Sequence, residues 1–345
     1  MDCENVPALF AGGVPQGAQR RAFIYMWRIR WIEPATTPIG TGADRAGPYN
    51  SLMPELPDLV ILADAFHAAM AGRPVVAVEA PGPLTVRGTP TELDGLVGQR
   101  LSAFRRRGKF LWLTFDRDEI AINAMLTGRL QLAATAKVKR PQKTMFVMQF
   151  GPRVGPAPRD AAEWTRDADW LPPPDASPEL RYRDPTTMGK IYLLPASVAR
   201  AVPGAGDGEM GPDAMAADLT EEVWRSRIRK HSGELKNVLR NQEFVTGIGN
   251  AYSDEILWAA RLLPARRRAT LAPEEVDELY RATRSVLGSA IDVLRERVPP
   301  TFETEVRDFL AVHNKGGQPC PRCGNRISQT EAGGFTTSYC RHCQR

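Results

Sequence analysis

Met53-Pro54-Glu55-Leu56-Pro57-Asp58 is the stretch on which the reading of this chain turns, because it looks like the start of a folded enzyme although it lies at position 53. If translation begins at Met53 and the methionine is trimmed, Pro54 carries a free secondary amine with the carboxyl of Glu55 beside it. A secondary amine that attacks C1′ of a sugar gives an iminium ion, which is cationic without a proton and acts as an electron sink. A prolyl nitrogen inside a peptide bond is an amide and cannot do this. Residues 1–52 have no apolar periodicity and no leader-peptide order, so they are read as an extension outside the fold, either non-native or disordered.

Downstream of this start the apolar residues Leu59, Leu62, Ala63, Phe66, Ala69 and Met70 recur at helical spacing, which predicts a helix over Asp58–Ala71. The period then changes. Val75–Val78, Leu84–Arg87, Arg100–Phe104, Phe110–Phe115, Glu119–Met125, Gly128–Ala133 and Thr144–Phe150 are short, β-rich and separated by turn residues, as in a sandwich or barrel. Pro152–Pro178 reads as a loop, and Ile191–Leu194 as one more strand. Beyond Gly211 the pattern is helical, with Thr220 capping Glu221–Lys230, then Gly233–Asn241, Asn250–Ala260 and one helix or a pair over Pro273–Arg297. The expected class is α+β. Its parts are the extension 1–52, a β-sandwich domain 53–200 opened by a helix, a helical domain 210–300 and a cysteine-rich segment 305–345.

A chain of 345 residues with 43% hydrophobic content can bury at least one sizeable core. The excess of basic over acidic residues, 45 to 40, suits an anionic partner but is equally compatible with a solvated surface. No apolar run reaches the roughly 18 residues of a membrane span. Cys320, Cys323, Cys340 and Cys343 form two C-x2-C pairs, a spacing that predicts a closed tetrahedral zinc site of structural purpose, one Zn²⁺ in a reducing compartment. The Gly333-Gly334 turn between them predicts a β-hairpin, read either as a rubredoxin-like ornament or as a hairpin presented to DNA. Cys3 is left over without a role.

Two further motifs carry chemistry. Arg105-Arg106-Arg107-Gly108-Lys109 stands at a strand entrance, where it is either a solvated basic face or a way of bringing Lys109 to a phosphate or reaction centre. Gly247-Ile248-Gly249-Asn250 joins two helices, where it is either a tight turn or a cradle of N–H groups for a phosphate at a helix N-terminus.

Met53-Pro54-Glu55-Leu56-Pro57, Gly108-Lys109-Phe110, the run Leu239–Tyr252 and the terminal four-cysteine finger together resemble, in this order, the formamidopyrimidine-DNA glycosylase / endonuclease VIII family over residues 53–345. The resemblance implies a β-sandwich, a helix-two-turns-helix domain and a zinc finger that grip damaged duplex DNA. It also implies flipping of the damaged base, cleavage of its glycosidic bond and nicking of the strand. Carried over by position, Pro54 is the Schiff-base nucleophile, Glu55 the general acid for sugar ring opening and Lys109 the aid to β-elimination. Asn250 holds a phosphate, and Asn123, Lys236 and Arg129 are further expected DNA contacts.

The chain departs from that pattern in four places. Asn123 replaces a histidine in Asn123-Ala124-Met125-Leu126-Thr127-Gly128, with Leu126 at the usual Met position. Asp184-Pro185-Thr186-Thr187-Met188-Gly189 lacks the arginine and phenylalanine that fill the gap of a flipped base. Phe335 stands where a finger arginine is associated with δ-elimination, and Asp58 replaces a Glu. The expected function is base-excision repair by a monomeric glycosylase and abasic-site lyase in the bacterial cytoplasm, nucleoid-associated through DNA. Two alternatives stand beside it: a silent damaged-DNA-binding protein, if residues 1–52 are retained, and a zinc-ribbon nucleic-acid module unrelated to repair.

Overall fold

The computed structural model describes residues 53–345 apart from 83, 157–167 and 207–209. The expectations for residues 1–52, Cys3 among them, lie outside the described residues. Helix α1, Leu56–Met70, starts two residues earlier than its apolar period suggests, because Pro57 sits in the first turn, where no N–H is required.

Among the described residues nine strands follow in two sheets. One has the order β1 (Val75–Glu79), β7 (Thr144–Phe150), β8 (Glu179–Arg183), β6 (Arg129–Ala133). The other runs β2 (Val86–Arg87), β9 (Lys190–Leu194), β5 (Glu119–Asn123), β4 (Phe110–Phe115), β3 (Leu101–Arg107), antiparallel except for the β2–β9 pair. Apolar side chains of both sheets, among them Leu111, Ile120, Phe146 and Tyr182, share one core with Phe66 of α1.

Strands β4 and β7 lie where the sequence pattern predicts them. Three elements were not predicted, one of them the single 3-10 turn Arg268–Thr270. Strand β8 carries three charges in five residues and so resembles surface, yet Glu179 and Arg181 are buried, paired with each other at 2.7 Å and joined by Arg140. The one-turn helix α2, Pro90–Asp94, is capped by Thr89.

The helical part contains α3 (Glu221–Ile228), α4 (Leu235–Arg240), α5 (Asn250–Ala259) and α6 (Pro273–Arg297), so the last predicted segment is a single helix. The Thr220 hydroxyl accepts from the Val223 N–H at 3.3 Å and caps α3 as expected. A second core forms around Trp224, Phe244, Ile256 and Leu279. Two residues stitch the halves together: Leu56 from the start of α1 is buried in this second core, while Leu294 of α6 is buried in the first.

Strands β10 (Ser328–Ala332) and β11 (Phe335–Tyr339) form the terminal hairpin, with Gly333 and Gly334 at φ +57° and +78° in its two-residue turn. Two adjacent acids on α5 anchor it. Glu255 accepts from the N–H groups of Ala311, Val312 and His313 at 2.7–2.8 Å. Asp254 accepts from Lys236 Nζ at 2.6 Å and from the Ser338 N–H at 3.0 Å, and it meets His313 Nδ1 at 2.7 Å.

Glu255→Gln turns a fully accepting carboxylate into an amide whose NH₂ faces buried N–H donors. It is expected to cost about 2–4 kcal/mol in urea unfolding. A change below about 1 kcal/mol would remove the anchor from the account.

Candidate active site

The carboxyl of Glu55 is only 2% exposed and lies against the N-terminus of α5, 194 or more residues away in sequence. Its Oε2 accepts from the N–H groups of Gly249 at 2.7 Å and Tyr252 at 3.2 Å, and its Oε1 from that of Ala251 at 2.8 Å. A helix N-terminus presents unpaired N–H donors and a partial positive charge, so a carboxyl is a natural partner there.

Of the two readings of the Gly247-Ile248-Gly249-Asn250 segment, the tight turn is the one seen: the Gly249 N–H is taken by the protein's own Glu55 and that of Gly247 by Gln242 Oε1 at 3.0 Å. The glycines are required for closeness: a Cβ on Gly249 would lie 2.4 Å from Glu55 Cδ, and one on Gly247, itself at φ +99°, would lie 2.7 Å from the Leu56 side chain.

Asp58 holds the backbone that carries Glu55. Its Oδ2 accepts from the Glu55 N–H at 2.8 Å, and its two oxygens pair in bidentate fashion with Arg307, which also donates to the Tyr252 hydroxyl at 3.1 Å. The shorter carboxylate at position 58 thus has a specific partner, and Arg307 is a residue that sequence reasoning missed. Nothing in the local pattern of Val306-Arg307-Asp308 signals a contact 249 residues distant.

Pro54 lines a small cleft of about 30 Å³ together with Asp58, Leu62, Arg129, Phe302 and Glu305. Arg129 pairs with Glu305 at 2.6 Å and donates to the carbonyls of Leu126 and Gly128. Burial pushes Glu305 up to about 7 even though Arg129 and Arg307 pull it down.

Lys109 reaches the same region from the β3–β4 turn. Arg107 pairs with Phe110 in register, leaving Gly108-Lys109 as the two-residue loop, with Gly108 at φ +58°. Removal from water lowers the Lys109 pKa, Glu55 raises it and Arg240 lowers it again, which places Glu55 and Arg240 within Coulombic reach of the ammonium. The rest of the basic run divides: Arg106 is half-buried and pairs with Asp213, while Arg105 and Arg107 are exposed.

The expected DNA contacts fall in different places. Asn250, first residue of α5, donates from Nδ2 to the Thr336 carbonyl at 2.9 Å, and its Oδ1 is buried without a partner. Lys236 is not displayed to an outside ligand. It is 4% exposed and bound to Asp254 and to the Thr336 carbonyl at 2.8 Å, so it ties α4 and α5 to the hairpin. Asn123 ends β5, and its Oδ1 accepts from the Met125 N–H at 3.1 Å, shaping the turn that follows. Opposite it, Asp184 is buried and accepts from the N–H groups of Thr186 and Gly189, leaving Met188 42% exposed.

At the other end of α5 the four cysteine sulfurs lie within 4.8 Å of one another. Sulfurs of Cys320 and Cys343 are 3.9 Å apart and those of Cys323 and Cys340 3.5 Å. A tetrahedral ion with metal–sulfur bonds of about 2.3 Å has edges of about 3.8 Å, so the set fits such an ion. Trp258 of α5 donates from Nε1 to the Cys320 sulfur at 3.4 Å, which joins the cluster to the helix that Glu55 caps.

Comparison with known proteins agrees with this geometry. Residues 53–191 match the formamidopyrimidine-DNA glycosylase N-terminal domain, 210–298 the formamidopyrimidine-DNA glycosylase H2TH domain, and 317–345 the zinc finger found in FPG and IleRS. The formamidopyrimidine-DNA glycosylase of Heliobacterium modesticaldum is 31% identical over 301 residues, covering 85% of this chain and 100% of that protein. That of Exiguobacterium sibiricum is 29% identical over 300 residues, covering 85% and 99%. Lactococcus lactis Fpg in complex with DNA containing an abasic site shares the fold, with a TM-score of 0.70 and 24% identity over 84% of this chain and 99% of that one. The chain belongs to the formamidopyrimidine-DNA glycosylase family.

Two measurements check the site. Gly249→Ala drives a methyl into the Glu55 carboxyl and is expected to cost about 2 kcal/mol in thermal unfolding, with loss of the Glu55 geometry. An alanine variant as stable as the parent would refute the contact. For Glu305 the folded pKa of about 7 lies above the ordinary 4.5, so the folded state holds more protons between these values. Stability should therefore fall as pH rises across that window, by about 3 kcal/mol in all. Glu305→Gln should flatten the stability profile there, and an unchanged slope would contradict the assignment.

Proposed function

We propose that this chain is a DNA glycosylase of base-excision repair that also nicks the strand at the resulting abasic site, and that its reactive form begins at Pro54. Family membership supports the glycosylase activity. The observation that carries the rest is the position of Pro54: it lines a cleft and adjoins a carboxyl that three N–H donors hold in place. The N-terminal family match also begins at residue 53.

The chemistry follows from these groups. The Pro54 nitrogen attacks C1′, the glycosidic bond breaks, and the base departs with the bonding pair and a proton. Glu55 delivers a proton to O4′ as the sugar ring opens to the iminium. A C2′ proton is then lost, its electron pair flows toward the iminium carbon, and the C3′–O3′ bond breaks to release a phosphate. Lys109 assists this elimination, a role supported by the burial that lowers its pKa. Water finally hydrolyses the iminium and frees Pro54. The substrate is a damaged base in duplex DNA, in the bacterial cytoplasm. Cys320, Cys323, Cys340 and Cys343 would hold one zinc ion, which would supply a fixed crosslink for the hairpin.

The test is borohydride trapping on duplex DNA with an abasic site. A chain beginning at Pro54 should give a covalent adduct, and the chain that retains residues 1–53 should give none. Absence of an adduct from the first protein, with retained DNA binding, would favour a silent damage-binding protein. An equal adduct from both would detach the chemistry from Pro54.

A further inference from the structure

Arg240, the last residue of α4, lays its guanidinium over the ring of Phe335, with 3.8 Å between the guanidinium carbon and the ring centroid. Phe335 opens β11 and remains 45% exposed. Among the described residues the Arg240 side chain has no hydrogen bond and no ion pair. Stacking uses the face of a guanidinium and leaves its N–H edge free, so the group is held in orientation with its donors unspent.

Its surroundings point to an anion at the candidate active site. Burial lowers the pKa of Arg240 while Glu55 and Asp254 raise it, and Arg240 in turn acts on Lys109. The start of β11 is fixed to this place, since the carbonyl of Thr336, the residue after Phe335, accepts from both Asn250 and Lys236. Beside it, the buried Asn250 Oδ1 has no partner.

We propose that Arg240 binds the phosphate group that leaves during strand nicking, and that Phe335 is the positioning residue that aims it. This rests on the reading of Pro54 as nucleophile. When the C3′–O3′ bond breaks, the electron pair stays on the phosphate oxygen and a diester monoanion becomes a monoester with added negative charge. A planar guanidinium with free donors stabilises that charge as it forms.

The test compares Arg240→Ala, Arg240→Lys and Phe335→Ala with the parent in the chain beginning at Pro54, which retains every core residue among the described residues. Three quantities are read: trapping by borohydride, single-turnover nicking of an abasic duplex, and salt dependence of binding to a duplex carrying a tetrahydrofuran abasic analogue. Arg240→Ala is expected to trap as the parent does, to nick about tenfold more slowly, and to lose about one unit of salt slope. Arg240→Lys should keep the slope and recover only part of the rate. Phe335→Ala should slow nicking with little change in slope.

Parent-like nicking and slope in Arg240→Ala would overturn the proposal. So would full recovery by lysine, which would leave no task for the stacked plane. If the parent itself is not trapped, the Pro54 reading fails, and the salt slope still decides whether Arg240 meets a phosphate.

Discussion

The hydrogen bonds between the Glu55 carboxyl and the first N–H groups of α5 are the constraint on which the rest of this structure depends. Each charge-assisted bond of this kind is worth about 1.5–3 kcal/mol, and leaving the buried donors unpaired costs a similar amount. The sandwich domain contributes the acid, and the helical domain contributes the surface that holds it. The separation of Pro54 and Glu55 from the hairpin is therefore set by a single helix. That helix carries Asn250 at its N-terminus, Asp254 and Glu255 in its middle, and Trp258 against the cysteine cluster.

Such an arrangement explains why the glycines in the α4–α5 turn are needed. Their role is to let two segments distant in sequence pack against each other, since any side chain at 249 would occupy the place of the carboxyl and any at 247 the place of Leu56. Asp58 and Arg307 work toward the same end from the opposite side, clamping the backbone N–H of Glu55. Together they fix the residue next to Pro54 from both its side chain and its main chain, so its carboxyl is held in one orientation.

How much of this was legible in the sequence depended on distance along the chain. Phe110–Phe115 and Thr144–Phe150 could be placed because a strand announces itself through its own residues, and the four cysteines because their spacing is the ligand geometry. Strand β8 was missed because its charges look solvated until Arg181 and Arg140 are seen around Glu179. The segment Gly247–Asn250 could be read as a tight turn or as a phosphate cradle, and the pattern could not choose, because the acceptor of the Gly249 N–H lies far away in the chain at Glu55. Lys236 shows the same limit, since a lysine on a short helix reads as surface unless the buried Asp254 opposite is known.

Charge placement carries the comparison one step further. A lysine bound to Asp254 and a carbonyl spends its charge inside the protein, whereas an arginine stacked on a ring keeps its donors for something else. The cations within Coulombic reach of Glu55 therefore fall into two kinds. Lys236 and Arg307 are consumed by buried carboxylates and serve geometry. Lys109 and Arg240 have no such partner among the described residues, and both lie in the electrostatic field of Glu55. Holding two unneutralised cations in a partly dry site costs stability. The cost makes sense where an anion arrives from outside.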